Sequence, residues 1–376
     1  MTLNSAQSAK LHVSDGPTFR MVGADRADGR PNDVITFSGE NIRPLGYSEL
    51  IAAKLHEKLA IPVEVHNSNL LDTNISGLGD DRTYTFSFIL ESRFTSRAIG
   101  LVKGGWLPSA FAASCRDAVV LVDRNIVTEM VGRFDGGKAV GTEPDFIDLF
   151  ANRPVRINPV LYAMEGNGRS IPAPQLVHSL LEEAVTKMEA ALPSAKLVVS
   201  PDSLQGALGL IEESRAGIAR KQQFLMRVAP SITAPVSARK MRRRWDEVLA
   251  AADDCTVPRR SLVVLAALSS IVVPNGKSPA KRLLKIKPDY RVEDAYNALV
   301  DLRSLEFLIY MFALFPSQSI LLCTADKDLA LFWTGIRAFN FGRTDAGISV
   351  EFSPVDELLG GSTAPEWRET LRETLC

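Results

Sequence analysis

Two aspartates in this chain stand at or just beyond the end of an apolar run. Asp123 closes Ala118–Val122 (AVVLV) in the motif LVDRN, with Asn125 two residues on. Asp326 lies beyond Ile320–Thr324 (ILLCT) in LLCTADKDL, preceded by Thr324 and followed by Asp328. Such continuous apolar runs are expected for strands covered on both faces of a parallel sheet. Open parallel sheets bind ligands beyond the carboxyl ends of their strands. Two acids 203 residues apart in sequence can therefore be neighbours. Glu165, in NPVLYAMEGN, falls near the end of a short helix that itself follows a strand. In the helix expected over Val292–Phe315, Glu306 falls inside the apolar stripe and Asp301 at its edge. An unpaired acid on an apolar face is costly, so one of them calls for a partner, most simply a metal.

Carboxylates brought to one spot repel by on the order of 4 kcal/mol per pair, at about 4 Å and an effective dielectric of about 20. Divalent cations hold such clusters together, and an all-oxygen donor set favours Mg²⁺ or Mn²⁺ over zinc. Two such ions can stabilise both the attacking and the leaving oxygen of an in-line phosphoryl displacement. The plainer reading is that Asp123 and Asp326 start the helices after their strands as N-caps. Asp328 then serves the helix dipole, and Thr324 and Asn125 satisfy backbone groups in the turns.

The elements around these residues alternate. Strands are expected at Ala118–Val122, Val155–Ile157, Lys196–Ser200, Ile320–Thr324 and Ile348–Phe352. Between them fall helices at Gln175–Leu192 and Val292–Phe315, and a short one after Asn158-Pro159 that Gly166-Asn167-Gly168 ends. This alternation argues for an α/β three-layer sandwich with a mainly parallel central sheet. Residues 1–112 read as a small N-terminal α/β accessory module. Val34–Ser38 and Ile61–His66 are its β-branched runs, Ser48–Leu59 a helix capped by Ser48, and Tyr84, Phe86 and Phe88 an alternating strand. Residues 113–376 form the second domain, interrupted at about 201–291 by a basic helical insertion.

The formal net charge of the 376 residues is −1, which excludes a chain that is basic throughout. It conceals an asymmetry, because residues 214–291 hold 17 Lys or Arg against 5 Asp or Glu, a surplus of +12. One basic group is Arg239, Lys240, Arg242, Arg243 and Arg244, followed by Trp245; a second includes Lys281, Arg282 and Lys285. A charge run is ordinarily a solvated helix face, but so large a surplus also suits phosphate backbones. Trp245, Phe224 and Tyr290 read as core rather than as base-stacking residues. The 12-residue apolar stretch Leu262–Val273 is too short for a bilayer, so no membrane partner is expected. The polar start MTLNSAQSAK shows no secretory signal. Cys115, Cys255, Cys323 and Cys376 lack C-x-x-C spacing and read as reduced thiols of a cytoplasmic protein. A homo-oligomer is left open.

The order and context of Asp123, Glu165, Glu306 (or Asp301) and Asp326 resemble a PIN domain, a metal-dependent nuclease family related to flap endonucleases. The likeness lies in the buried strand ending Asp123-Arg124-Asn125 and in the helical Glu165 about forty residues later. It continues in EFLIYMFAL (Glu306–Leu314) and in the strand ending Thr324-Ala325-Asp326. It covers about 115–200 and 292–352. Glu306 stands where the family carries Asp, and Asp301 is the alternative third acid.

The resemblance implies Mg²⁺ or Mn²⁺ held by Asp123, Glu165, Glu306 (or Asp301) and Asp326, with Asp328 beside them and Asn125 and Thr324 in support. It implies hydrolysis of single-stranded RNA in preference to DNA, leaving a 5′-phosphate and a 3′-hydroxyl. The basic groups Arg239, Lys240, Arg242, Arg243, Arg244, Lys281, Arg282 and Lys285 would grip the backbone. The rival expectation is a non-catalytic nucleic-acid-binding protein whose acidic site is degenerate.

Overall fold

In the computed structural model the described residues are 18–23, 30–39, 41–79, 82–115, 117–141, 143–151, 153–165, 170–199, 201–274, 276–345 and 347–360. They divide into two units. One comprises the described parts of Met1–Arg43, Ile61–Leu90 and Ser114–Arg116; the other comprises Pro44–Ala60, Glu91–Ala113 and the chain from Asp117 on.

The first unit is a sheet of β1 (Thr18–Val22), β2 (Val34–Ser38), β3 (Ala60–Thr73) and β4 (Thr83–Glu91), hydrogen-bonded in that order. The β1–β2 and β2–β3 pairs are antiparallel. Tyr84, Phe86 and Phe88 are half-buried while Thr85 and Ser87 are exposed, as their alternation predicts. Phe37 is wholly buried and stacks on Phe86 at 3.9 Å, with Phe19 and Phe88 around it. This aromatic set is the unit's core.

The helix expected at Ser48–Leu59 belongs to the second unit and is shorter, α1 (Tyr47–Ala52). Its N-cap is Gly46 rather than Ser48, because the Glu49 carboxylate reaches back to the Gly46 amide at 3.0 Å. The hairpin β5 (Ile99–Val102) and β6 (Gly105–Pro108), with α2 (Ser109–Ala113), also joins the second unit. The boundary expected at residue 112 is therefore redrawn: the first unit is β-sheet, and residues 44–60 and 91–113 help build the larger one.

That unit continues with β7 (Val119–Val122), α3 (Arg124–Arg133), the short pair β8 (Phe134–Asp135) and β9 (Lys138–Ala139), β10 (Arg156–Asn158), α4 (Val160–Glu165), α5 (Pro174–Ala191) and β11 (Lys196–Leu197). Four helices follow, α6 (Pro201–Ile232), α7 (Ala238–Asp254), α8 (Leu262–Val272) and α9 (Pro279–Leu283). Then come α10 (Val292–Leu314), β12 (Ile320–Thr324), α11 (Lys327–Ile336), β13 (Ala338–Thr344) and β14 (Gly347–Phe352).

Among the described residues the main sheet has six strands in the order β11-β10-β7-β12-β5-β6. The first four are mutually parallel, and β5 and β6 are antiparallel additions at one side. Every residue of β7 and β12 is buried, so both faces of these central strands are covered, as their unbroken apolar runs require. The chain builds outward from β7 to β10 to β11, then returns to add β12 on the other side of β7. The strand order therefore reverses between β7 and β12, the place where open α/β sheets form their ligand crevice.

One further expectation shifts. Ile348–Phe352 is a strand but pairs with β13 in a separate hairpin, outside the main sheet. The turn expected at Gly166–Gly168 and the thiol of Cys376 lie outside the described residues. No helix among the described residues is long and apolar enough to cross a membrane.

The helical stretch between β11 and β12 is built around an apolar centre. All eleven residues of α8 are buried, and its serines are satisfied internally, Ser269 to the Leu358 carbonyl at 2.6 Å and Ser270 to Ala266 at 2.8 Å. In α7, Trp245, Val248, Ala251 and Ala252 face inward at helical spacing and leave the arginines outside. Trp245 and Phe224 are wholly buried, as expected of core residues.

Candidate active site

The register of the central strands positions two acids. Val122 stands opposite Cys323, so Asp123 and Thr324 are the next positions along the same carboxyl edge. Each strand-end aspartate turns the chain into a helix. Asp123 Oδ1 accepts from the Ile126 amide at 2.8 Å and caps α3. Asp326 Oδ1 accepts from the Asp328 and Leu329 amides at 2.8 and 3.0 Å and caps α11. Thr324 braces that turn by accepting from the Asp326 amide at 3.1 Å. The capping role is thus real for both, yet it engages only one oxygen of each carboxylate. Among the described residues the second oxygen of each accepts no hydrogen bond.

Glu165, the last residue of α4, reaches the start of α3: its Oε2 accepts from the Arg124 amide at 3.4 Å. Asn158 caps this turn, its Oδ1 accepting from Val160 at 3.0 Å. Tyr296 of α10 then donates to the Glu165 carbonyl at 3.3 Å, which ties the end of α4 to the helix carrying Asp301.

The choice between Asp301 and Glu306 is resolved by what packs beside α10. Glu306 turns toward α6 and pairs with Lys221 at 2.5 Å. Asp301 faces the strand-end acids and pairs with Lys285 at 2.8 Å. The order of preference read from the family pattern is thereby reversed, and Asp301 is the fourth member of the cluster. Asn125 is exposed on α3 and its side chain makes no hydrogen bond among the described residues, so no contact here gives it a supporting part.

Electrostatics ties the four together. Burial pushes the Asp123 carboxyl up to about 7 against the pull of the Ile126 amide, and Glu165, Asp301 and Asp326 push it in the same direction. Burial also raises Glu165, opposed by the Arg124 amide and reinforced by Asp301. Asp301 is raised by burial and, less, by Asp326, with Lys285 acting against both. These enclosed, mutually repelling carboxylates are the hard oxygen donors that Mg²⁺ or Mn²⁺ prefers. Their spacing is open: among the described residues no three His, Cys, Asp or Glu side chains are already drawn together as a metal cage.

Two cations close the rim, and neither is recognisable from its sequence neighbourhood as a partner of these acids. Lys285 holds Asp301, and Arg282 grips Asp328 with Nε at 2.9 and 2.8 Å and Nη2 at 2.6 Å. Asp328 is thus engaged by a guanidinium at the first turn of α11. Only spatial docking of α9 on α11 reveals the pairing. In the other basic group, Arg242 pairs with Asp246, and Arg243 and Arg244 with Glu247, all within α7. Arg239 and Lys240 lie exposed at the start of that helix.

The chain matches no family model, no curated protein and no solved structure.

Proposed function

We propose that this protein is a divalent-metal-dependent endonuclease of PIN-like type, hydrolysing phosphodiester bonds with single-stranded RNA favoured over DNA. The observation that carries the reading is the convergence of Asp123, Glu165, Asp301 and Asp326 from four elements on the crevice between β7 and β12. The sequential placement of β7, β10, β11 and β12 in the sheet supports it, since the reversal of order opens the crevice where those acids stand.

Mg²⁺ or Mn²⁺, when bound, would neutralise charge on the attacking and leaving oxygens of the displacement. Asp123 and Asp326 offer their free oxygens to it, with Glu165 and Asp301 from the flanking helices. Lys285 serves as the internal counter-charge of Asp301, a duty that a divalent ion held there would share. The helix caps keep both strand-end carboxylates fixed, so little ordering remains to be done when substrate arrives.

Cleavage of end-labelled single-stranded RNA in Mn²⁺ tests this directly. Asp123→Asn, Asp326→Asn and Asp301→Asn are each expected to lower the rate at least 100-fold, on the scale of removing a key electrostatic group. Glu306→Gln should stay within about threefold of wild type, a bound matching its place outside the cluster. Undiminished cleavage in the three aspartate variants would sink the proposal.

A second reading, a nucleic-acid-binding protein without turnover, draws on the pairing of Asp301 and Asp328 with Lys285 and Arg282 and on the open spacing of the acids. It expects no tight Mn²⁺ binding by calorimetry.

A further inference from the structure

Beside the acids lies a concavity of about 310 Å³, lined chiefly by Thr233, Ser278, Lys281, Arg282, Lys285 and Ile286. Three of these side chains are cationic, and among the described residues no acid lines it. A volume of this order sits at the small end of ligand pockets, enough for a nucleotide-sized group and too little for a folded partner.

Lys281 is only 9 % exposed, and its ammonium donates to the Thr233 carbonyl at 2.5 Å. Burial pulls its pKa down, because the wall takes the ammonium partly out of water. The Lys285 ammonium donates to Asp301 alone among the described residues, and an ammonium carries three donors, so some remain for a ligand. Arg282 completes the wall, anchored by the Gly276 carbonyl at 2.8 Å and by Asp328. Lys285 and Arg282 therefore belong both to the concavity and to the rim of the carboxylate cluster.

We propose that this concavity is a phosphoryl-binding subsite that takes one phosphate of a nucleic-acid strand while another phosphodiester lies at the acids. The proposal rests on the nuclease reading for its substrate class. The shared wall explains why anionic substrate can approach an acidic centre at all. Cations stand next to the carboxylates, and a strand crossing the crevice meets them before it meets bare negative charge.

The test uses the full chain in EDTA, where no metal binds and no cleavage occurs. Inorganic phosphate is titrated calorimetrically at constant ionic strength, followed by matched single-stranded RNA oligonucleotides with and without a 5′-phosphate. Wild type should bind phosphate saturably. Lys281→Gln and Lys285→Gln should each weaken it at least tenfold, Lys281→Arg should restore it, and Arg259→Gln, at a cation that follows α7 and pairs with Asp253, should leave it unchanged.

A preference for the 5′-phosphorylated oligonucleotide that disappears in Lys285→Gln assigns a terminal phosphate to the subsite. Equal binding of both oligonucleotides with the same dependence on Lys285 assigns an internal one. Absence of saturable phosphate binding, or an equal loss in Arg259→Gln, overturns the proposal. Should Lys281→Gln lose its circular dichroism, Lys285→Gln and Arg282→Gln carry the comparison from the rim. The subsite can fail here while Asp123→Asn still abolishes cleavage, and the converse is equally visible.

Discussion

Asp123 is subject to two opposed demands. Capping α3 favours its charged form, because an ionised oxygen accepts the Ile126 amide more strongly. Enclosure among three other acids favours the neutral form, and burial prevails, pushing the carboxyl up to about 7. In the unfolded chain the same group titrates near 3.8. Between those values the folded state binds a proton that the unfolded state does not. The stabilisation is therefore fully present below the lower value and is lost as pH rises through the upper one.

Asp123→Asn keeps a capping side chain and removes the buried charge. In EDTA at pH 8 it should melt above wild type, by a gain worth a few kcal/mol, with the two converging toward pH 4. Thermal melts across that range decide it, and a lower melting temperature for the variant at pH 8 would refute the assignment of repulsion. At this scale much was legible. Asp123, Glu165 and Asp326 stand out by type and context. Periodicity places Asp301 and Glu306 near the same apolar stripe, and only Lys221 on one side and Lys285 on the other separate them.

Among the elements, α8 is the least expected. A segment called a basic insertion has at its centre a helix with no exposed residue. It contacts α6, α7, α9 and α10 and so holds α9, with its cations, against the acidic crevice. Leu265, wholly buried midway along it, is predicted to cost about 2–5 kcal/mol when replaced by Ala, as for other core leucines. Denaturant unfolding measures this, and a loss below about 1 kcal/mol would show the helix to be peripheral. The apolar run Leu262–Val273 announces burial, but not what buries it. Strands β7 and β12 were readable because one unbroken apolar run has few other uses. The short α1 was not, since a cap supplied from within the first turn by Glu49 overrides the serine preference.

For the molecule, charge is the feature that changes meaning. The +12 of residues 214–291 is partly consumed within the fold. Lys221, Arg282, Lys285 and Lys287 reach acids of α10 and α11, while Arg242, Arg243 and Arg244 are matched along α7. Exposed pairs of this kind contribute only about 0.3–0.5 kcal/mol each, so neutralising the three α7 arginines to Gln should hardly move stability. If α7 grips a strand, the same triple variant should reduce the slope of log affinity against log salt for single-stranded RNA by about 2, at about 0.7 per lost phosphate contact. Fluorescence anisotropy across a KCl series reads that slope, and an unchanged value would return α7 to a solvated face.

The central strands, the acids at their ends and the uneven distribution of charge are legible in the chain alone, because each is a local property of composition and period. The tertiary structure decided which acids meet, which lysine restrains them and where the unit boundary falls. Strand order, helix docking and the return of β5 and β6 to the main sheet are set by packing between segments far apart in the chain. No local pattern encodes which partner a charged side chain will reach across that distance.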